Sequence, residues 1–512
     1  MNFISSWERV AEKTPNKNAL EFEGRKISYR EFLNMARTVG RRLEGFGVTK
    51  GDRVVLMLDN TPEFVIAYFG IILAQAVIVP VNPRYRQREV QVIIEDCQPK
   101  VLITTADNVT MIEAIQQQVN SIENIFITDS ANIEGILNWE QLLKPVLGSG
   151  QNQVKDDDVI EFLYTSGTTG IPKGAMLSHT NLYSNAVEFA RILEFSADER
   201  SLVLAPIYHS AAQTCVMNAT LVSGGTLVLK DRWISAEDTL QAFQDKKITF
   251  FFGPPTMYAF ILNHPELPKY DVSALRVAFT GAASLPEGVF NRFKEVFGFE
   301  IVEGYGLSEA SPVVATNPFR GAKKLGSVGQ AFPGVDIKIV DSDDNEVPTG
   351  TVGEITCHGP NVMQGYYQKP DETKQSLKDG WLHTGDMGYV DEDGYYYIVD
   401  RKKDMIIRGG LNIYPREVEE VLYSHPKVLE AAVIGVPHSD MGEVPKAVIV
   451  LKDSIKSSAD DIRGYCREQL SSYKVPQFFE FVTELPKTST GKILKRELRK
   501  QGKSSNSHSN SV

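Results

Sequence analysis

Tyr164-Thr-Ser-Gly-Thr-Thr-Gly-Ile-Pro-Lys-Gly174 grows directly out of the strand-like run 159–164 (VIEFLY) and leads toward a helix-like segment at 179–193. Gly167, Gly170 and Gly174 permit tight backbone turns. Successive backbone N–H groups, with the hydroxyls of Thr165, Ser166, Thr168 and Thr169, can surround phosphate oxygens, and Lys173 adds a positive charge. The stretch does not satisfy G-x-x-x-x-G-K-[ST], because Pro172 precedes Lys173 and Gly174 follows it. A P-loop NTPase is therefore disfavoured.

Outward from this loop the same alternation recurs on both sides. Residues 53–58 (RVVLML) and 76–81 (AVIVPV) are apolar runs flanking a helix-like 62–74, which reads as a βαβ unit with a parallel sheet. Further apolar runs at 100–104, 124–128, 201–205, 226–229, 248–252 and 276–280 are separated by helix-length segments, implying sheets covered by helices on both faces. From about 326 to 400 the chain turns glycine-rich, with short β-prone runs and turn pairs such as Asp393-Gly394, and fits a small antiparallel or barrel-like unit. From Arg416 a helix, strands at 430–436 and 446–452, a helix at 459–470 and a strand near 478–482 predict a separate α+β domain of roughly 100 residues. The expected fold class is α/β and α+β multidomain. It has a large N-terminal domain of two helix-covered mixed sheets plus a small β-barrel-like unit, then a mobile small α+β C-terminal domain.

The 512 residues carry 54 basic and 65 acidic side chains, a net charge of −11, so no general attraction to nucleic acid or anionic lipid is expected. An anionic ligand must be held by a local cluster. Cys97, Cys215, Cys357 and Cys466 lack C-x-x-C spacing and read as buried thiols of a reducing, cytoplasmic setting. The N-terminal stretch has no apolar core of the kind a secretory signal needs, and no segment approaches the ~20 apolar residues of a membrane span.

Three further segments carry chemistry. Glu303-Gly-Tyr-Gly-Leu-Ser-Glu309 puts carboxylates just past a strand-like run, within reach of a metal, and its glycines let backbone approach a flat ring. Gly306-Leu-Ser308-Glu-Ala310 is also one residue away from the nucleophile elbow G-x-S-x-G, which opens a serine hydrolase reading through Ser308. That reading needs a histidine and an acid elsewhere, and His383 and Asp386 on one short segment give no support for a triad. Trp381-Leu-His-Thr-Gly-Asp386 is followed by Asp400-Arg-Lys-Lys-Asp404 and Arg408-Gly-Gly-Leu-Asn412. Asp386 is suited to accept hydrogen bonds from two vicinal ribose hydroxyls, and Arg401 to bind a phosphate or hydroxyl with its planar fork. Pro486-Lys-Thr-Ser-Thr-Gly-Lys492 is a second Gly/Thr-rich loop ending in lysine.

YTSGTTGIPKGAMLSH, GYGLSE, WLHTGD, DRKKDMIIRGG and PKTSTGK in this order resemble the adenylate-forming superfamily of acyl-CoA synthetases, luciferases and peptide synthetase adenylation domains, over residues 10 to 500. Within it the chain looks like a bacterial fatty acyl-CoA synthetase of medium or long chain preference. The resemblance implies ATP, Mg²⁺ and coenzyme A, with a carboxylic acid as the substrate activated. By it, 165–174 (Thr165, Ser166, Gly167, Thr168, Thr169, Gly170, Lys173) holds the terminal phosphates and Thr165 with Glu309 holds Mg²⁺. Gly281, Ala282, Glu303, Gly304 and Tyr305 form the adenine pocket, Asp386 and Arg401 hold the ribose, and Lys492 bridges the reacting carboxylate and the α-phosphate. It also implies a division into an ATP- and acid-binding domain 1–400, a hinge 401–404 containing Lys403 and a lid domain 405–500, while the polar composition after Gly502 predicts a disordered tail, 501–512. Gly409, Gly410 and Asn412 would line the path of the thiol.

Substrate class is less legible. Amino-acid-activating relatives place an aspartate after the strand at LVLAP, whereas this chain reads Pro206-Ile-Tyr-His-Ser-Ala-Ala212. An α-amino group would be buried unpaired there. His209 is equally a substrate-facing residue or a capping one, and His209, Gly281 and Ala283 are the candidates for the acyl pocket. An aryl acid, or an acyl carrier protein as acceptor, is the alternative. Lys492, Lys495, Arg496, Arg499, Lys500 and Lys503 make a basic C-terminal segment read first as a solvated helix end. Weak peripheral contact with lipid, and a homodimer, are the partner expectations beyond small molecules, and nucleic acid is not one.

Overall fold

The computed structural model describes residues 3–145, 154–165, 172–281, 283, 285–409, 411–438, 440–452, 457–487 and 493–505, with side chains up to 500. The chain divides into two compact units, Met1–Ile337 with Cys357–His383, and Lys338–Thr356 with Thr384–Val512.

Two mixed sheets build the larger unit. The seven-stranded sheet runs in the order Leu137–Asn138, Asn124–Ile127, Val101–Thr104, Arg53–Leu56, Val77–Pro80, Val159–Thr165, Lys173–Ser178. All neighbours in it are parallel except the last pair. The nine-stranded sheet has a parallel centre: Asn18–Phe22, Thr226–Leu229, Arg200–Val203, Phe250–Phe252, Val277–Thr280 and Val302–Gly306. Antiparallel strands Arg25–Ser28 on one side and Val313–Thr316 with Gln330–Ala331 on the other close its edges. Apolar runs without alternation become central strands because both faces are covered: Val77–Pro80, Val101–Thr104 and Val277–Thr280 are buried at every position. The helix Pro62–Leu73 starts at the Thr61 cap, with Pro62 in its first turn, and is apolar all round because it lies inside the core.

The phosphate-type loop departs from expectation in one respect. The chain does not pass from it straight into a helix. Lys173–Ser178 first returns as a strand paired antiparallel with Val159–Thr165, Thr165 opposite Lys173. The helix His179–Ile192 follows, opened by a capping box of Ser178 and Asn181.

The remaining β-rich stretch forms a five-stranded sheet of Asp336–Val340, Gly353–His358, Trp381–Val390, Leu377–Lys378 and Tyr396–Arg401, and the unit boundaries fall inside three of these strands. In the smaller unit a second five-stranded sheet is made of Leu411–Ile413, Ile406–Arg408, Gly442–Leu451, Val428–His438 and Phe478–Phe481. Alternation along Val428–His438 divides its side chains between two cores. Ala431 and Val433 pack with Val418 and Leu422 of the helix Pro415–Ser424, while Ala432, Ile434 and Val436 pack with Leu485 and Leu498.

Candidate active site

In an α/β sheet ligands sit beyond the carboxyl ends of the strands, and the larger unit gathers its polar motifs there. Thr165 ends the strand Val159–Thr165, and Glu309 lies on the short turn Ser308–Ala310 that follows the strand Val302–Gly306. The Thr165 hydroxyl donates to Glu309 Oε1 at 3.2 Å. Tyr366 OH donates to the same oxygen at 2.9 Å, and the Lys173 ammonium stands 5.3 Å from the centre of the Tyr366 ring. One carboxylate, two hydroxyls and one ammonium, brought from four segments, thus form a single cluster. Burial and then the Glu309 charge push the Tyr366 phenol up, so it stays a neutral donor. Ser166, Gly167, Thr168, Thr169 and Gly170 lie outside the described residues, between Thr165 and Lys173.

Tyr366 was not legible as a site residue. It is carried by 364–367, which lies along the edge of Lys173–Ser178: Met176 N donates to Gly365 O at 2.9 Å and Tyr367 N to Gly174 O at 2.8 Å. Tyr164 packs so close that a Cβ on Gly174 would lie 3.0 Å from its ring, and its hydroxyl donates to Asp96 Oδ2 at 2.6 Å. A second strut was equally hidden. Gln213, one turn after His209, donates to Glu161 Oε1 at 2.7 Å, and Tyr68 OH donates to Oε2 at 3.1 Å. Glu161 is fully buried on the strand that delivers Thr165. Burial pushes its carboxyl up to about 8 despite these two donors.

Gly281 and the strand Val302–Gly306 form a close backbone approach. A Cβ on Gly281 would lie 3.0 Å from Gly304 O, and one on Gly306 would lie 2.0 Å from Pro312 O. Side chains are thus excluded where a flat ring would need backbone on either side. Glu303 is buried and accepts from Leu285 N at 3.2 Å, Tyr305 is half-buried, Ala283 is exposed and Ala282 lies outside the described residues. His209 Nδ1 accepts from Ala211 N at 3.4 Å, a capping contact. The hydroxyl of Ser308 lies 3.2 Å from that of Ser210, so its partner is another hydroxyl rather than an imidazole base. The hydrolase reading has no support in this geometry.

In the smaller unit Asp386 and Arg401 face each other across paired strands, with Arg401 Nε 3.0 Å from Asp386 Oδ1. Lys403 is exposed on the turn after Arg401, and Gly409 and Asn412 are exposed on the hairpin Ile406–Ile413. Gly410 and Lys492 lie outside the described residues.

The donor set of Thr165 and Glu309, a hydroxyl and an acceptor-only carboxylate, suits a hard cation that takes its other ligands from water and phosphate. Among the described residues no three metal-binding side chains gather, so such an ion would rely on those other ligands. The chain belongs to the AMP-binding enzyme family, whose model matches residues 7–367, with the family's C-terminal domain matching 417–492. The long-chain-fatty-acid–CoA ligase of Bacillus subtilis (strain 168) is 39% identical over 519 residues, covering 95% of this chain and 92% of that protein. The feruloyl-CoA synthase of an Amycolatopsis species is 38% identical over 500 residues, covering 97% and 99%. Among solved structures, ATP-bound MatB from Rhodopseudomonas palustris matches with a TM-score of 0.92 at 33% identity, covering 98% of this chain and 99% of that one. Anthranilate CoA ligase AuaEII in complex with anthranoyl-AMP matches with a TM-score of 0.92 at 32% identity, covering 99% and 98%.

Proposed function

We propose that the chain is an AMP-forming fatty acid–CoA ligase. The observation that carries this reading is the joint hold of Thr165 and Tyr366 on Glu309 beside Lys173. A carboxylate is a poor electrophile. It attacks the α-phosphorus of ATP through one oxygen, the bond from that phosphorus to the β-phosphate oxygen breaks, and pyrophosphate leaves an acyl-adenylate. The thiol of coenzyme A then adds to the acyl carbonyl, loses its proton and expels AMP.

In the first step Lys173 and the loop 165–170 hold the terminal phosphates. Asp386 accepts from the ribose hydroxyls, with Arg401 holding its carboxylate in place. Gly281, Ala282, Glu303, Gly304 and Tyr305 take the adenine, and Lys492 brings its ammonium to the reacting oxygens. Thr165 and Glu309 would hold Mg²⁺, which when bound supplies further neutralisation of phosphate charge. In the second step Lys492 is not needed, and segment 401–404 with Lys403 is the hinge that withdraws it, while Gly409, Gly410 and Asn412 flank the incoming thiol. His209, Gly281 and Ala283 border the acyl chain. Four buried, unpaired cysteines support a reducing cytoplasmic setting. No helix among the described residues is long and apolar enough to cross a membrane.

The likeness to a feruloyl-CoA synthase and an anthranilate CoA ligase supports a second reading, an aryl acid as substrate. Pyrophosphate release measured with ATP, Mg²⁺ and acids from acetate to oleate plus aryl acids, with and without coenzyme A, separates the two. Release with long aliphatic acids and acyl-CoA formation are expected. No release with any acid would remove the ligase assignment, and release without acylation of coenzyme A would transfer it to a carrier-protein acceptor.

A further inference from the structure

The basic C-terminal segment, which by composition is a solvated helix end, is spent on solvent only in part: Arg496 and Lys500 are exposed, whereas Lys495 and Arg499 are drawn onto the fold. Lys495 opens the helix Lys495–Ser505 and reaches Glu419 Oε1 at 2.8 Å, with the two side chains only 17% and 14% exposed. Glu419, on the helix Pro415–Ser424, also accepts from Val433 N at 2.7 Å. Val433 belongs to Val428–His438, which among the described residues is an edge strand paired only with Gly442–Leu451. No described strand receives its outward N–H groups. Glu419 takes one of them, and the charge it brings to the edge is answered by Lys495. The helix Pro415–Ser424 covers one face of this sheet, and Leu498 of the C-terminal helix packs on the other. The ion pair therefore joins the two faces around an open edge. Asp400 and Asp404 add their negative charge to that of Glu419 in favouring the protonated form of Lys495.

The same strand also holds Lys487, the last described residue before 488–492. Lys487 pairs with Glu430 of Val428–His438. Lys487 and Ile493 form an antiparallel bridge, and Leu494 N donates to Pro486 O at 2.8 Å. One helical turn beyond Lys495, Arg499 Nη1 lies 2.8 Å from Asp404 Oδ1. Lys487 and Ile493, the described residues that flank 488–492, thus form one neck. Its first strand is tied to the sheet edge by Lys487, and its exit is tied to that edge by Lys495 and to the end of segment 401–404 by Arg499.

We infer that Glu419 and Lys495 are positioning residues for Lys492, acting in the adenylation step and not in thioester formation. The inference rests on the role given to Lys492 above. Bringing one ammonium to a reacting centre depends on geometry held to within about an ångström, and after the backbone contacts of Ile493 and Leu494 the next anchor on the C-terminal side of Lys492 is the ion pair of Lys495. Removing one partner of a part-buried pair leaves the other without its counter-charge and frees the helix start to shift.

The test uses the full-length enzyme and measures the two half-reactions separately: pyrophosphate release from ATP with palmitate, and acyl transfer to coenzyme A from synthetic palmitoyl-adenylate. Glu419→Gln and Lys495→Met should each lower the first by about tenfold or more while leaving the second within about threefold. Because both partners are removed together, the double variant should lose no more than Lys495→Met alone. Arg499→Gln, at a more exposed pair, gives a smaller loss of the same kind and serves if the buried variants fold poorly. Equal loss of both half-reactions, or adenylation unchanged in all three single variants, would overturn the inference. Wild-type enzyme releasing no pyrophosphate, or Lys492→Ala retaining adenylation, would instead remove the reading on which it rests.

Discussion

Tyr366 shows how a site residue escapes a sequence reading. Its partner Glu309 stands in a motif, but the two are separated by 57 positions, and Gly365-Tyr366-Tyr367 carries no pattern that distinguishes it from a turn before a core strand. What recruits it is backbone pairing of 364–367 with the edge of Lys173–Ser178. Tyr366→Phe keeps the ring beneath Lys173 and deletes the hydroxyl that donates to Glu309 and meets Ser376. A hydrogen bond to a carboxylate is worth about 1.5–3 kcal/mol, so kcat/KM for ATP in the pyrophosphate assay should fall by roughly tenfold or more with little change in melting temperature. Thr165, Lys173, Glu309, Asp386 and Arg401, by contrast, stand out in the sequence as candidates, because each chemistry proposed for them demands a residue type beside glycines or at a strand end. Their mutual distances were not, since they depend on which strands become neighbours.

Among elements, the parallel strands were readable because they are buried on both faces and written as unbroken apolar runs. Two elements were not. Lys173–Ser178 (KGAMLS) has neither alternation nor β-branched residues, and it is a strand because Val159–Thr165 pairs with it. Asn18–Phe22 and Arg25–Ser28 form a hairpin through Glu23-Gly24, both at positive φ, a turn without the asparagine or aspartate that usually announces one. The strut from Glu161 to Gln213 and Tyr68 ties the strand of Thr165 to the segment Ala212–Asn218, and its energetics depend on pH. The folded carboxyl holds its proton up to about 8, whereas the unfolded one releases it near the ordinary carboxylate value. The native state therefore binds the extra proton between those limits, and its stability falls as pH rises through that window and is level above it. Glu161→Gln keeps a neutral side chain of the same shape and removes this slope. Thermal unfolding at about pH 5 and about pH 8.5 should show a smaller loss of melting temperature in the variant than in the wild type.

For the molecule as a whole, the two-step chemistry divides the work between residues required once and residues required twice. Lys492→Ala should abolish pyrophosphate release while acyl-adenylate supplied from outside is still converted to acyl-CoA. Equal loss of both rates would reject that division. The expected boundary at residue 400 was drawn from motifs. The compact units are drawn by packing, in which Lys338–Thr356 groups with later strands although it precedes Cys357–His383 in the chain. No local signal reports such an excursion. The return of the chain at Lys173, antiparallel to the strand it left at Thr165, has a last consequence. Both sides of the phosphate-type loop are stitched into one sheet by their own hydrogen bonds, so the covalent link between them is not what keeps the two halves of the larger unit together. A single peptide-bond cut within 166–171 would leave two fragments that migrate as one particle under native conditions and part only in denaturant, with nucleotide chemistry lost and architecture retained.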